Sequence, residues 1–581
     1  MKKFLDHFEE NLAIIVFVIM LGLTFFNVVF RNFSASISFT EEITTSLFVL
    51  LCLLGTSLAA RDHAHLGLSA LTELMPIKTR KMLAVIADIL GIIFSIVLIV
   101  TGIQMVISEY VMKQISIALQ IPQWIYGAFL PFGALLMTIR FTQAMIDNIK
   151  ALKEVEEMAG VVLFGSFAVM LLCNVSIAVA LGLSSTLALL ASGMSISMVP
   201  TNYFASSSKF VLLAIPYFIL GGNIMAKAGI STRLIALARS LVGHIRGGLA
   251  IVCVIASCFF AAISGSGPAT VAALGAIIIP AMIEQGYKDS DSSALMSVSG
   301  TIGLIIPPSI LFVVYGSITG ASVTKLFMGG IIPGLIMGLL LIITCFIKNR
   351  KTVLKTLPKA SWGERWAAFK DAFWGLMMPV IILGGIYGGF FTPTEAAAVS
   401  AVYGLLVGIF IYRSITLQVF KEIVMDSVKQ TASVMFITAC ASLFAWVITV
   451  KGYATAASNM LIAASGGNIF ILLIIINIIL LIAGCFLDGT SACYIFVPII
   501  YAAATQLGYN PVALGVLCVM NLAIGNSTPP VGVCLYVGCS VGHVSLKDIS
   551  KSAAPYILAS IVALFIITYF PGISLLLAGG M

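Results

Sequence analysis

Long apolar runs separated by short polar gaps fill this chain from end to end. Such runs lie at about 11–31, 42–60, 82–108, 124–147, 161–192, 209–228, 326–347, 376–391, 394–413, 429–450 and 553–575. Most approach the roughly 20 residues that a helix needs to cross a bilayer. Two further runs, 294–320 and 511–540, are interrupted by Pro-Pro, at Gly303–Ser309 and Gly525–Gly532. Two more stretches, about 248–285 and 468–507, read as pairs of short apolar helices around a polar tip, that is, as re-entrant hairpins. The pattern predicts an all-α polytopic membrane protein with about 13 spanning helices plus two re-entrant hairpins. A β-barrel would show short alternating strands instead of these continuous runs.

The stretch from Phe486 to Pro555 occurs twice. Its earlier copy runs from Ser264 to Pro333, and one offset of 222 aligns the residues that shape backbone. Gly267 matches Gly489, Gly286-Tyr287 matches Gly508-Tyr509, Gly303 matches Gly525, and Pro307-Pro308 matches Pro529-Pro530. Gly316 matches Gly538, Lys325 matches Lys547, and Pro333 matches Pro555. Gly and Pro set turns and helix breaks, so the repeat is one of backbone architecture. Internal repeats with broken helices are the build of secondary transporters.

Composition narrows the class. Of 581 residues, 60% are hydrophobic and 9% charged, which leaves no room for a large soluble domain. The net charge of +8 does not read as nucleic-acid binding, because Lys and Arg sit in the gaps between runs, as the positive-inside bias requires. The eleven cysteines lie mostly inside apolar runs and form neither a zinc-spaced cluster nor a disulfide framework. The apolar segment Leu12–Phe30 exceeds the roughly 7–15 residues of a signal-peptide core, so it is expected to stay as the first helix.

Charge also sets sides. Lys2-Lys3, the Arg61–Lys81 gap and Lys150–Lys153 place both ends of a four-helix module in the cytoplasm, N-terminus included. Lys150–Glu157 is charged and helix-prone, a joint between two modules. The 229–246 segment reads as an amphipathic helix on the membrane surface, and Trp362–Trp374 as an interfacial helix ahead of the 376–391 span. Thr392-Pro-Thr-Glu395 has Pro and Glu where a helix start favours them. Five crossings separate the hairpins, so the repeats should have inverted topology, the second hairpin entering from the periplasmic side.

Broken helices and hairpin tips free backbone groups that hydrocarbon cannot satisfy, so they must line a cavity or bind something. Freed carbonyls with Ser, Thr and Asn oxygens make hard-oxygen sites suited to Na⁺, and half-helix N-termini offer N–H groups to an anion. The two-fold layout predicts one Na⁺ per repeat. The first site would use Ser264 or Ser266 with Gly303, Ile306 and Pro308; the second would use Gly489 with Gly525, Thr528 and Val531. Ser266, Ser309, Asp488, Thr490, Asn521 and Asn526 are the candidate substrate contacts. Asp488 is the one carboxylate at any tip; substrate acceptor, cation ligand, proton carrier and plain helix cap all remain open for it. Elsewhere, Glu41 and Glu42 start the second span, Asp88 would snorkel from its helix end, and His63 and His65 are weak evidence for metal. No Walker A motif and no nucleophile–base pair supports an enzyme.

These residues resemble the membrane part of a tripartite ATP-independent periplasmic (TRAP) transporter with its small and large subunits fused. The resemblance rests on Phe39-Thr-Glu-Glu42 and Ala60-Arg-Asp-His-Ala-His65 in the first module. In the second it rests on Ser264-Gly-Ser-Gly-Pro-Ala-Thr270, Gly303-Leu-Ile-Ile-Pro-Pro-Ser309, Phe391-Thr-Pro-Thr-Glu-Ala-Ala397 and Gly525-Asn-Ser-Thr-Pro-Pro-Val-Gly532. Phe39 stands where the family usually has Trp, and the junction is too short and charged for the extra helix of some fused members. The resemblance divides the chain into a small-subunit module (1–149), a junction (150–158) and a large-subunit module (159–581). It implies an elevator mechanism in the bacterial inner membrane, at least two co-transported Na⁺, a periplasmic substrate-binding protein as partner, and an organic-acid substrate. Fusion points to N-acetylneuraminate by analogy; a C4-dicarboxylate or sugar acid is the alternative, as is a stand-alone divalent-anion/Na⁺ symporter.

Overall fold

The protein is described by a computed structural model covering residues 2–33, 38–61, 77–116, 118–153, 167, 170, 173, 175–191, 195–350, 354, 358–450 and 453–579. It is all-helical: among the described residues the one β-type pairing is an isolated bridge between Ile115 and Pro122. Twelve described helices are long and apolar enough to cross a membrane. Helix is the expected answer for such runs, because it satisfies every backbone donor and acceptor internally where no water can.

The chain forms two compact units, one of residues 1–213 with 424–454, the other of 214–423 with 455–581. The first unit begins with helices Lys2–Phe33, Ser38–Arg61, Ile77–Val111 and Phe129–Lys153. The fourth packs against the second and third, and the first against the second. Gly55 lies directly on Ala432 of the Leu417–Val450 helix. At the centre is a fully buried ion pair: Arg140 Nε and Nη2 donate to Glu9 Oε2 at 2.8 and 2.6 Å, both side chains 0% exposed. Ser57 donates to Glu9 Oε1 at 3.3 Å, and Arg140 Nη1 donates to Gln143 at 2.9 Å. A charge in this setting persists only when paired and hydrogen-bonded.

The second unit holds both repeats, and the offset of the sequence reappears in the elements. Hairpin one is Gly248–Ser264 plus Gly267–Glu284, and hairpin two is Ile469–Phe486 plus Gly489–Gln506. The first broken helix is Asp289–Gly300 plus Ile310–Thr319; the second is Pro511–Gly525 plus Val533–Gly542. The closing helices are Val323–Asn349 and Leu546–Tyr569. Both Pro-Pro bonds are cis. Packing is reciprocal. The second arm of hairpin one lies on Val533–Gly542, and that of hairpin two on Ile310–Thr319. Each closing helix likewise packs on the other repeat's broken helix.

Ten of the twelve apolar helices coincide with expected spans, and the other two are hairpin arms, Gly267–Glu284 and Ile469–Phe486. The two Pro-Pro runs are each a pair of helices too short to span alone, as their breaks require. The 161–192 run lies partly outside the described residues and contributes Ile177–Ala191. The expected interfacial helix and following span are one continuous helix, Trp362–Tyr387. Gly375, between the two expected elements, is where Ile230 packs. The helix Met198–Ser207 has no counterpart among the elements that the apolar pattern predicts. Asp88 is buried, 8% exposed, rather than snorkelling outward. His63 and His65, and most of the junction, lie outside the described residues.

The ion pair generates a stability prediction. Arg140→Ala or Glu9→Ala strands one buried charge and should cost about 3–5 kcal/mol. The double variant should recover part of that loss, read as the melting temperature of the purified chain. Additive losses would show that the two groups do not act as a pair.

Candidate functional site

Two residues, Gly265 and Ser266, join the arms of hairpin one, and two, Leu487 and Asp488, join those of hairpin two. Ser264 and Thr270 hydroxyls meet at 3.0 Å, and Thr270 Oγ1 donates to the Ser266 carbonyl at 2.7 Å. Gly303, at the first helix break, sits on this cluster so closely that a Cβ there would stand 2.8 Å from Thr270 Oγ1. Ile310 N–H donates to the Gly265 carbonyl at 3.4 Å, and the Pro308 carbonyl also abuts Gly265. The structure thus brings Ser264, Ser266, Gly303 and Pro308 together. Ile306 donates its N–H to Ile302 at 2.9 Å and lays its side chain on Gly334. Thr270 belongs to the cluster although the sequence does not single it out; its spacing of four from Ser266 on a helix is the available signal.

The second repeat makes the corresponding joint. Val531 N–H donates to the Cys485 carbonyl at 3.2 Å. Gly525 and Gly484 touch backbone to backbone, and a Cβ on Gly525 would stand 2.6 Å from the Gly484 carbonyl carbon. Thr528 Oγ1 donates to Ile524 O at 2.7 Å, and the Thr528 carbonyl faces Gly532. Gly489 lies against Leu311 of the other repeat, as Gly267 lies against Cys534. Second-repeat residues therefore gather as two neighbourhoods, Gly525–Thr528–Val531 beside hairpin two, and Gly489 beside repeat one.

The candidate substrate contacts fall into three groups. Ser309 and Asp488 are helix N-caps. Ser309 is 0% exposed; its hydroxyl donates to Leu304 O at 2.5 Å and accepts from Phe312 N–H at 3.4 Å. Asp488 Oδ2 accepts from the N–H groups of Thr490 and Ser491 at 2.9 and 3.1 Å, and Oδ1 accepts from the Ser491 hydroxyl. An ionised carboxylate has about four acceptor positions, so capping still leaves Asp488 room for a hydroxyl, an amide or a cation. Ser491 is a further residue absent from the candidates above; Ser at the third position after an Asp cap is its signal. Asn521 and Asn526 form the second group, buried with their Oδ1 atoms unpartnered. Asn521 Nδ2 donates to Asn477 Oδ1 at 2.8 Å, and Asn477 Nδ2 to Thr568 Oγ1 at 3.1 Å, tying the second broken helix to hairpin two and its closing helix. Ser266, half-buried, and Thr490, 5% exposed, remain at the two tips themselves.

Exposure breaks the two-fold symmetry. Every residue from Thr301 to Ile310 is buried, whereas Thr528, Pro529 and Val531 are half-buried and Pro530 is exposed. Asp488 is half-buried on the same open side. Among the described residues no group of three His, Cys, Asp or Glu side chains could hold a metal ion. Hydroxyl and carbonyl oxygens, with the Asp488 carboxylate, are the donors at the tips and breaks, and such oxygens suit a hard cation better than a soft transition metal. Glu42 has a structural role. It accepts from Ala118 N–H at 2.8 Å and from the Tyr126 hydroxyl at 3.2 Å, fixing the turn after the third helix. Glu41 is exposed.

Two family models match. Residues 20–151 match "Tripartite ATP-independent periplasmic transporters, DctQ component", and residues 164–573 match "Tripartite ATP-independent periplasmic transporter, DctM component". A protein of Oleidesulfovibrio alaskensis named "Isethionate TRAP transporter permease protein DctMQ" is 35% identical, covering 94% of this chain and 89% of its own. The Haemophilus influenzae "Sialic acid TRAP transporter permease protein SiaT" is 30% identical over 98% of each chain. The Pseudomonas aeruginosa "C4-dicarboxylate TRAP transporter large permease protein DctM" is 43% identical over 68% of this chain and 93% of its own.

Cap and charge at Asp488 can be separated. Asn is as good an N-cap as Asp, while Ala costs about 0.5–2 kcal/mol. Asp488→Asn should keep the wild-type melting temperature yet lower substrate uptake at least tenfold, and Asp488→Ala should lower both. Undiminished uptake by the Asn variant would remove the carboxylate charge from the site.

Proposed function

The chain belongs to the tripartite ATP-independent periplasmic transporter family, with both membrane components in one polypeptide, and from that premise we propose that it takes up an organic acid by Na⁺ symport. It is a multi-pass transporter permease of the bacterial inner membrane rather than an enzyme, and its family works with a periplasmic substrate-binding protein. In the proposed mechanism that partner delivers the substrate. The hairpins and broken helices then carry it across as one body, while the remaining helices stay as scaffold with the N-terminus in the cytoplasm.

One observation carries the reading: each helix break meets a hairpin tip of its own repeat, and the meeting point is lined with oxygens. Ser264, Thr270 and the Ser266 carbonyl crowd Gly303 in repeat one; Thr528 and its neighbouring carbonyls stand beside Gly525 and Val531 in repeat two. Such oxygens, in an apolar surround and with no cationic side chain required, hold Na⁺, and Na⁺ in turn attracts an anionic substrate. The reciprocal packing of the repeats supports movement as a single body. Fused relatives are named for sialic acid and for isethionate. Fusion therefore supports N-acetylneuraminate without singling it out, and C4-dicarboxylates enter through the large-subunit relatives.

The test is uptake into proteoliposomes holding the full chain, with and without the binding protein and a Na⁺ gradient. The substrates are N-acetylneuraminate, succinate, isethionate and a sugar acid. Saturable uptake of one of them, dependent on both partner and gradient, is expected. Robust uptake without the partner would replace this reading by a stand-alone symporter, and current without saturation by a channel. Thr528→Ala and Ser264→Ala should each shift the Na⁺ titration to higher concentration; an unchanged titration would exclude that residue from a cation site.

A further inference from the structure

The start of hairpin one and the end of the first closing helix enclose a cavity of about 120 Å³ that the transport reading does not use. Its walls are amphipathic. Arg246, Gly247 and Arg350 form one part, and Ile251, Ile342 and Phe346 another. Arg246 Nη2 donates to the Arg350 carbonyl at 3.0 Å, which holds the two basic residues side by side. Asn349 ends an apolar span, so both arginines stand at the level where a bilayer gives way to headgroups.

Three observations identify the cavity as an anion site open to hydrocarbon. First, the helix Gly248–Ser264 begins here without a side-chain cap, its N-cap being Gly247 at φ 78°; in its first turn Gly248 N–H donates to Ile245 O at 2.7 Å and Ala250 N–H to Gly247 O at 3.0 Å, which leaves the Leu249 N–H to a ligand. Helix N-termini carry unsatisfied N–H groups and a partial positive charge that an anion complements. Second, the Tyr287 hydroxyl is buried and unpartnered, with Tyr287 5% exposed, and it lies 3.7 Å from where a Cβ on Gly247 would stand. Third, the two-fold equivalent end of hairpin two has none of this. The positions matching Arg246 and Arg350 are Asn468 and Gly572, and Asn468 caps its own helix by accepting from Phe470 N–H at 2.9 Å. The fold therefore does not need the two arginines at a hairpin entrance; repeat one alone has them. The apolar wall continues outward along an exposed face, with Ile343 at 43%, Phe346 at 42% and Ile347 at 66%. Lys348 is turned away, donating to Asp291 at 2.7 Å and to Ser552 O at 2.9 Å.

The geometry points to a binding site for an anionic phospholipid, its phosphate at Arg246, Arg350 and the first turn of Gly248–Ser264, and one acyl chain along Ile251, Ile342 and Phe346. Charge and apolar wall together select a lipid over a free anion, which would use only the arginines. Because hairpin one and the closing helix share the site, bound lipid staples these two elements at the membrane surface.

Thermal unfolding of the detergent-solubilised full chain tests this without needing a transport substrate. Phosphatidylglycerol should raise the melting temperature by several degrees, as a ligand of the folded state does, while phosphatidylcholine and inorganic phosphate should not. In Arg246→Gln/Arg350→Gln the shift should fall by at least half. Should that variant fail to fold, Ile342→Trp fills the cavity with the charges intact and should lose the shift alike. Equal shifts with phosphatidylcholine, a full shift with inorganic phosphate (an adventitious ion only), or a full phosphatidylglycerol shift in either variant would overturn the assignment.

Discussion

A polypeptide that leaves helical geometry inside hydrocarbon must find a partner for each freed N–H and C=O, and the second unit is arranged around that requirement. Neither a hairpin tip nor a Pro-Pro break can meet it alone. Placed against each other they do: the Gly265 carbonyl takes the Ile310 N–H, and the Cys485 carbonyl takes the Val531 N–H. Close approach of two backbones is possible only where side chains are absent, which explains Gly303 against Ser266 and Gly525 against Gly484. The oxygens collected for structural reasons are then available to cations. Structural necessity and the proposed transport chemistry thus draw on the same few residues.

Much of this is legible in the sequence because it is written in backbone-shaping residues. The offset of 222 that aligns Gly and Pro also aligns helices: Gly267–Glu284 and Gly489–Gln506 begin and end one offset apart. Thr392 and Glu395 form the helix start that their order implies, with the Thr392 N–H donating to Glu395 at 2.8 Å. What escapes depends on contacts between residues distant in sequence. Glu9 lies ahead of the first apolar run and reads as an ordinary N-terminal charge; only the position of Arg140, far along the chain, makes it a buried partner. Trp362–Tyr387 reads as two elements because its aromatic start has interfacial composition, whereas helix continuity is decided by capping and packing at Ser361 and Gly375.

The two repeats are not copies in chemistry. The first break is wholly buried around Ser264 and Thr270, and the second carries a carboxylate at its tip and an exposed Pro530. A common backbone therefore supports one sheltered and one accessible helix break. Ser266 and Asp488 occupy the equivalent tip positions, so the same backbone turn presents a hydroxyl in one repeat and a carboxylate in the other.

The reciprocal packing has a consequence in time. Gly267 rests on Cys534, and Gly489 on Leu311, so hairpin one meets its proper surface only after most of the chain has been made. At ~5–20 residues per second, synthesis leaves the first hairpin waiting for tens of seconds before that surface exists. During this interval the membrane and its insertion machinery, not the finished protein, must cover the face of Gly267–Glu284 that Val533–Gly542 later takes, whereas the Gly265 carbonyl is met much sooner by Ile310 of its own repeat. The order of the genetic message therefore places a demand on the cell's handling of the nascent chain that the completed molecule no longer shows.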